Sequence, residues 1–196
     1  MFVTGLVLAA GGSRRLGRPK QLLPYRGATL LDATLAVARA CRFHQLLVTV
    51  PGSAEAIEAL VDLRGCTVVH CPDAGSGCSA SVRAALPLVD PLSAGIVLLL
   101  GDQPGVRPWT VRDLIARGAM ENIGLCRYED GFGHPLWLGR NAFDELAQLQ
   151  GDKAVWKLFD SDDVDAFAVP IEERVPLDVD TWDGYRALLD QDRDVS

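Results

Sequence analysis

Three glycines and four cations crowd one short stretch of this sequence: Gly11, Gly12 and Gly17 stand among Arg14, Arg15, Arg18 and Lys20, directly after an apolar run from Phe2 to Ala9. Glycine lets a backbone come close to a ligand, and free N–H groups beside cationic side chains attract clustered negative oxygens. The stretch therefore reads as a phosphate cradle. It departs from two well-known ones. The dinucleotide fingerprint needs G-x-G-x-x-G opening straight into a helix, with an acid about 20 residues on, and this loop is longer and more basic. The P-loop needs Lys-Ser/Thr after its second glycine, where this chain has Arg18-Pro19. The competing reading is a plain solvated connection, since loops are polar by default.

A second chemical feature closes the most apolar run of the chain, where Gly95 to Leu100 ends in Gly101-Asp102-Gln103-Pro104. A carboxylate at the tip of a buried strand is costly without a partner, and in a phosphate site that partner is commonly a divalent cation. The alternative is a turn aspartate before a proline-containing loop. Between Pro72 and Leu86, Gly75 and Gly77 stand with Ser76, Ser79 and Ser81 ahead of a helix, offering N–H and hydroxyl groups to a polar ligand, or simply a helix start capped by Ser79. Near the C-terminus Asp178 and Asp180 are two residues apart; on a strand they share a face and both could reach a metal. His70 beside Cys71 is read as core or loop, because metal sites need three or four ligands.

These groups must be positioned by a scaffold, and the pattern supplies one. Phe2–Ala9, Gln45–Val50, Thr67–His70, Gly95–Leu100 and Asn122–Tyr128 read as strands; helical spacing runs through Asp32–Ala40, Ala54–Val61 with Ser53 as its cap, Pro108–Met120 and Asn141–Leu149. Glu129 to Gly133 reads as a turn before a strand at His134–Leu138, Val164–Pro170 and Val175–Asp180 as later strands, and Asp190–Ser196 as a frayed polar tail. Alternating strands and helices predict a parallel, doubly wound sheet, whose ligands bind at the carboxyl ends of the strands. The chain has 196 residues, 48% hydrophobic, enough for one buried core. A net charge of −7 disfavours a general binder of nucleic acid or anionic membrane. Five cysteines without a C-x-x-C pair fit a reducing compartment, Met1-Phe2 carries no charged signal region, and no apolar run approaches a membrane span. A cytoplasmic protein is expected.

The loop Leu8-Ala9-Ala10-Gly11-Gly12-Ser13-Arg14-Arg15-Leu16-Gly17, followed by Pro19-Lys20, resembles the signature of the MobA-like nucleotidyltransferases of the molybdenum-cofactor type. Further segments follow in the family's order. Gly75, Gly77, Ser79 and Ser81 match its G-x-G-x-S-x-S element. Gly101-Asp102-Gln103-Pro104 is similar to the motif whose aspartate binds magnesium in molybdenum-cofactor cytidylyltransferases. Gly133-His134-Pro135 matches a family pattern, and Gly151-Asp152-Lys153-Ala154 reproduces part of another. Asp178-Val179-Asp180-Thr181 resembles D-I-D-T, with Trp182 and Gly184 replacing the proline and the acid that usually follow.

The resemblance implies a three-layer α/β/α sandwich with a mainly parallel mixed sheet, nucleotide-diphospho-sugar-transferase-like and Rossmann-like, formed as one domain over 1–190. It implies a Mg²⁺-dependent nucleotidyltransferase that moves CMP from CTP, or another NTP, to the phosphate of a molybdopterin-type acceptor. Lys20 and Arg15 would then contact the triphosphate, and Asp102 and Asp180 would hold the metal, with Asp178 as the substitute for Asp180. The backbone of Leu8, Ala9, Ala10, Gly11 and Gly12, with Gly75, Gly77, Ser79 and Ser81, would meet base and ribose; His134 and Lys153 would meet the acceptor. Relatives using GTP or another phosphate acceptor, and a non-catalytic accessory protein for a molybdenum hydroxylase apoenzyme, are the alternatives.

Overall fold

Unbroken apolar runs bounded by Gly and Pro build the centre of the molecule. A computed structural model describes residues 1–73, 77–119, 121–151, 154–159 and 166–193. β1 (Thr4–Leu8) leads through the glycine loop and a 3-10 turn at Lys20–Leu22 to a small hairpin, β2 (Pro24–Tyr25) and β3 (Ala28–Thr29), and then α1 (Leu30–Ala40). β4 (Gln45–Pro51), α2 (Glu55–Leu60), β5 (Thr67–Cys71), α3 (Cys78–Ala85), β6 (Gly95–Leu100) and α4 (Pro108–Gly118) follow. β7 (Ile123–Tyr128), β8 (Gly131–Gly139), α5 (Phe143–Gln148), α6 (Ala154–Lys157), β9 (Ala166–Pro170) and α7 (Trp182–Arg193) complete the order.

Seven strands form one sheet in the order β5-β4-β1-β6-β8-β7-β9. All neighbours are parallel except β8, which runs antiparallel to both β6 and β7. Alternate residues of each strand feed opposite faces. On one face Val7, Val48, Val97 and Leu99 pack with Leu31 and Leu35 of α1 and Val111 and Leu114 of α4. On the other, Leu6, Leu47, Ile96 and Leu98 pack with Val82 and Ala85 of α3 and Leu146 of α5. The result is the expected three-layer sandwich with a mainly parallel, mixed sheet. Among the described residues no helix is long and apolar enough to cross a membrane.

A third apolar cluster joins the two ends of the chain. Leu16 of the glycine loop, Leu23, Tyr25, Leu30, Leu188 of α7 and Val179 are all buried together. Tyr185 donates its hydroxyl proton to the Pro24 carbonyl, and the Arg26 guanidinium pairs with Asp192. Val179 has no exposed surface, whereas Asp178 and Asp180 on either side of it are exposed. Burial of that one valine fixes where its acidic neighbours stand.

Several local expectations are corrected. α1 starts at Leu30 rather than Asp32, because Thr29 Oγ1 accepts from the Asp32 N–H at 3.1 Å while Asp32 Oδ2 accepts from the Thr29 N–H at 3.1 Å, a reciprocal cap. Ser53 does not cap α2, whose N-cap is Ala54. The turn before His134 spans only Glu129 and Asp130: Gly131 already pairs with Tyr128, so β8 begins there. Val175–Asp180 is not a strand. Its backbone is met by loop side chains instead, Asp130 Oδ1 accepting from the Val175 N–H at 2.8 Å and Gln103 Nε2 donating to the Pro176 carbonyl at 3.1 Å. Pro176 could donate nothing to a ladder in any case. The polar tail is helical through Arg193, anchored by Asp192, and 194–196 lie outside the described residues.

Candidate active site

Leu8 at the end of β1 lies in register with Leu100 at the end of β6. The glycine loop and the Asp102 turn therefore leave the sheet side by side, from the carboxyl edge of its central parallel strands. They touch at once: the Gly101 N–H donates to the Leu8 carbonyl at 2.9 Å, and a Cβ on Gly101 would lie 2.8 Å from that of Ala9. The other wall of the cleft is the start of α3. Gly77 precedes that helix at φ 96°, a conformation that glycine alone adopts without strain, and the helix opens on Cys78.

The cleft has a volume of about 520 Å³ and is lined by Leu8 to Arg15, Lys20, Gln21, Gly77, Cys78, Ser81, Leu100, Gly101, Asp102, Asp178 and Asp180. That volume is in the range of small-molecule sites. At its centre the Lys20 ammonium stands 2.5 Å from Asp102 Oδ2 and 2.8 Å from Asp180 Oδ1, while Arg15 reaches the other Asp180 oxygen at 3.7 Å. Residues 82 and 160 positions from Lys20 in sequence meet on one nitrogen.

The electrostatics follow from unequal burial. The Asp102 side chain is 9% exposed and that of Asp180 56%. Burial raises the Asp102 carboxyl above its ordinary range; Lys20 opposes this by charge and hydrogen bond, and Asp178 and Asp180 add repulsion. Asp180 is lowered, first by the hydrogen bond from Lys20, against a smaller effect of burial. For Lys20 burial alone would favour the neutral amine, but Asp102 and Asp180 together outweigh it and hold the ammonium charged.

Two carboxylates that close on one nitrogen at these distances can share one cation. Mg²⁺ and Mn²⁺ sites in nucleotide enzymes take one or two carboxylates and complete their shell with phosphate and water oxygens. Among the described residues no three His, Cys, Asp or Glu side chains converge on a metal position.

The structure brings together Leu8, Ala9, Ala10, Gly11, Gly12, Arg15, Lys20, Gly77, Ser81, Asp102, Asp178 and Asp180 around the one cleft. Others do not arrive there. Ser79 is neither a cap nor part of the lining: it sits inside the first turn of α3, 1% exposed, with its hydroxyl unpaired. His134 is also buried and not part of the lining, edge-on to Trp156 at 5.4 Å between ring centroids. Gly75 and Lys153 lie outside the described residues. Thr181 caps α7, accepting from the Gly184 N–H at 3.1 Å. Sequence reasoning missed Cys78 and Gln21, and neither carries a charge or glycine signal that would mark it.

Two predictions arise here. A Cβ on Gly12 would meet no atom within 4 Å, and Gly12 lines the cleft. Gly12→Ala should keep its stability within about 0.5 kcal/mol yet lose nucleotide binding, because the methyl occupies ligand space; calorimetric titration showing unchanged affinity would place the ligand elsewhere. His134 is pushed down by burial to about 4. Below pH 6.5 the unfolded chain takes up a proton that the folded chain refuses, so stability is full above 6.5 and falls as pH drops toward 4. Urea melts at pH 7.5 and 4.5 should show wild type losing about 2.5 kcal/mol more than His134→Gln; parallel losses would mean that the imidazole is solvated.

Residues 5–166 match the MobA-like NTP transferase domain. The chain belongs to that family. Curated relatives include purine catabolism protein PucB of Bacillus subtilis, 30% identical over 86% of this chain and 85% of its own. Nicotine blue oxidoreductase of Paenarthrobacter nicotinovorans is 36% identical over 68% and 69%, and the molybdenum cofactor cytidylyltransferase of Escherichia coli 27% over 92% of both. Among solved structures, Rv0371c of Mycobacterium tuberculosis is 53% identical with a TM-score of 0.93 over 97% of this chain and 98% of that one. A manganese complex of Rv0371c superposes with a TM-score of 0.88 at 50% identity, over 97% and 99%. Nucleotidyltransferases of the nucleotide-diphospho-sugar-transferase fold are structural neighbours, so this MobA-like chain has the fold expected of it.

Proposed function

We propose that the protein transfers CMP from CTP to the phosphate of a molybdopterin-type acceptor and releases pyrophosphate. The observation that carries this reading is the meeting of Lys20, Asp102 and Asp180 beside the glycine loop. Support comes from the Escherichia coli cytidylyltransferase, which is matched over 92% of both chains.

Three cations, Arg14, Arg15 and Lys20, and three carboxylates, Asp102, Asp178 and Asp180, line the cleft. Their charges cancel, so a divalent cation would turn the cleft positive and suited to a triphosphate. Asp102 and Asp180 would hold Mg²⁺, or the Mn²⁺ named for Rv0371c, which would neutralise charge on the phosphates during transfer. An acceptor phosphate oxygen forms a bond to the α-phosphorus, the α–β P–O bond breaks, and pyrophosphate leaves with the electron pair. The nucleophile is already anionic, so no protein base has to remove a proton. Lys20 and Arg15 stabilise charge on the departing pyrophosphate, and the loop N–H groups hold the nucleotide in line.

The curated names of PucB and nicotine blue oxidoreductase specify no nucleotidyl transfer. A second reading is a nucleotide-binding accessory role in molybdoenzyme maturation. Pyrophosphate release from each NTP with Mg²⁺ and molybdopterin separates the two: release with CTP supports transfer, release with GTP alone changes the base, and binding of an NTP without release supports the accessory role. Absence of any NTP binding would contradict both.

A further inference from the structure

Gln21 is 2% exposed beneath the glycine loop, and its side-chain amide makes an unusual set of bonds. Nε2 donates to the Ala9 carbonyl at 2.5 Å and to the Gly11 carbonyl at 3.1 Å, while Oε1 is buried with no donor. Two carbonyls can be met only by the NH₂ end, so this orientation of the amide is fixed by its partners. A buried acceptor without a partner is a cost that an apolar residue of the same size would not carry. The residue's bonds are directed at the loop.

In a planar trans peptide the carbonyl and the following N–H point in opposite directions. With the Ala9 and Gly11 carbonyls drawn down onto Gln21, the N–H groups of Ala10 and Gly12 are turned toward the open side of the loop. Both residues line the cleft, and no group among the described residues accepts from either N–H. Ala9 itself is tied from its other end, its N–H donating to the Thr49 carbonyl at 3.0 Å. The loop is thereby held by the carbonyls of alternate peptides, and the N–H groups of those same peptides stay free.

We infer that Gln21 is a positioning residue: by binding the Ala9 and Gly11 carbonyls it aims the Ala10 and Gly12 N–H groups at the nucleotide. This deepens, and rests on, the reading of the cleft as a nucleoside triphosphate site. Gln21 borders the cleft, but both of its donated bonds go to loop carbonyls, so it acts through the two peptides. A space-filling role would be met equally by Met. A donating role makes Gln21→Met weak and Gln21→Glu weaker still, since a carboxylate would face two carbonyl oxygens.

The test uses the full chain with Mg²⁺ and the non-hydrolysable α,β-methylene analogue of CTP. In the wild type, ¹⁵N–¹H spectra should show the Ala10 and Gly12 amide protons moving downfield on saturation, as new hydrogen bonds form. Gln21→Met should bind the analogue about tenfold or more weakly, with those shifts lost and the affinity for Mn²⁺ alone unchanged; Gln21→Glu should be worse. Equal affinity and equal shifts in Gln21→Met would overturn the inference while leaving the triphosphate reading intact. If the variants fail to fold, the wild-type spectrum alone decides: amides of Ala10 and Gly12 that stay in place while the analogue binds overturn it too. A wild type that binds no nucleotide contradicts the triphosphate reading, and the inference with it.

Discussion

Asp102→Asn is expected to reduce nucleotidyl transfer by at least about 10²- to 10³-fold, the loss typical when one charge-stabilising group is removed at a reacting centre, while the fold and nucleotide binding persist. Asn has the same size, so the buried site keeps its shape, and the loop N–H groups, Arg15 and Lys20 remain. What goes is the charge that faces Lys20 at 2.5 Å and would face a metal. Steady-state pyrophosphate release, read with equilibrium binding of a non-hydrolysable analogue, separates the two effects. Wild-type rates in Asp102→Asn would remove the carboxylate from the reaction.

The second large effect is at Lys20, which stands where the shared cation would be. Lys20→Met leaves Asp102 buried beside Asp180 without a counter-charge. Breaking a buried pair from one side costs about 3 kcal/mol, here eased by the solvent that reaches Asp180. The same change clears the metal position. Lys20→Met should therefore bind Mn²⁺ more tightly than wild type when nucleotide is absent, and Mn²⁺ at about 100 times its Kd should restore about 2.7 kcal/mol. Transfer should nevertheless be slow, because the ammonium that neutralises the departing pyrophosphate is missing. Thermal melts with and without Mn²⁺ give the first result and single-turnover rates the second. A variant neither destabilised nor rescued by metal would show that the two carboxylates do not act as one site.

The central strands and the motifs that line the cleft were legible because each is written locally. β1 and β6 are uniform apolar runs, as strands buried on both faces must be, and the Gly-rich basic loop and the Gly-Asp tip mark themselves by composition. The C-terminal acid was harder. Asp178 and Asp180 suggested a strand by their spacing, yet Val179 is held by packing against Leu16, Leu23 and Leu188, contacts that span almost the full chain and leave no local signature. Gln21 was illegible for a related reason. Its part depends on which loop carbonyls lie above it, which the neighbouring letters do not reveal. His134 and Ser79 both sit in motif-like surroundings, yet both are buried and neither is among the residues that line the cleft.

The account stands on one metal-bound triphosphate being gathered by the N-terminal loop, the tip of β6 and the segment before α7. Crystals grown with Mn²⁺ and the α,β-methylene analogue of CTP, measured at the manganese edge, test this directly. The anomalous peak should lie between the carboxylates of Asp102 and Asp180, with the Lys20 ammonium moved from that position onto a phosphate oxygen. A peak elsewhere, or nucleotide bound while Lys20 still bridges the two aspartates, would contradict it.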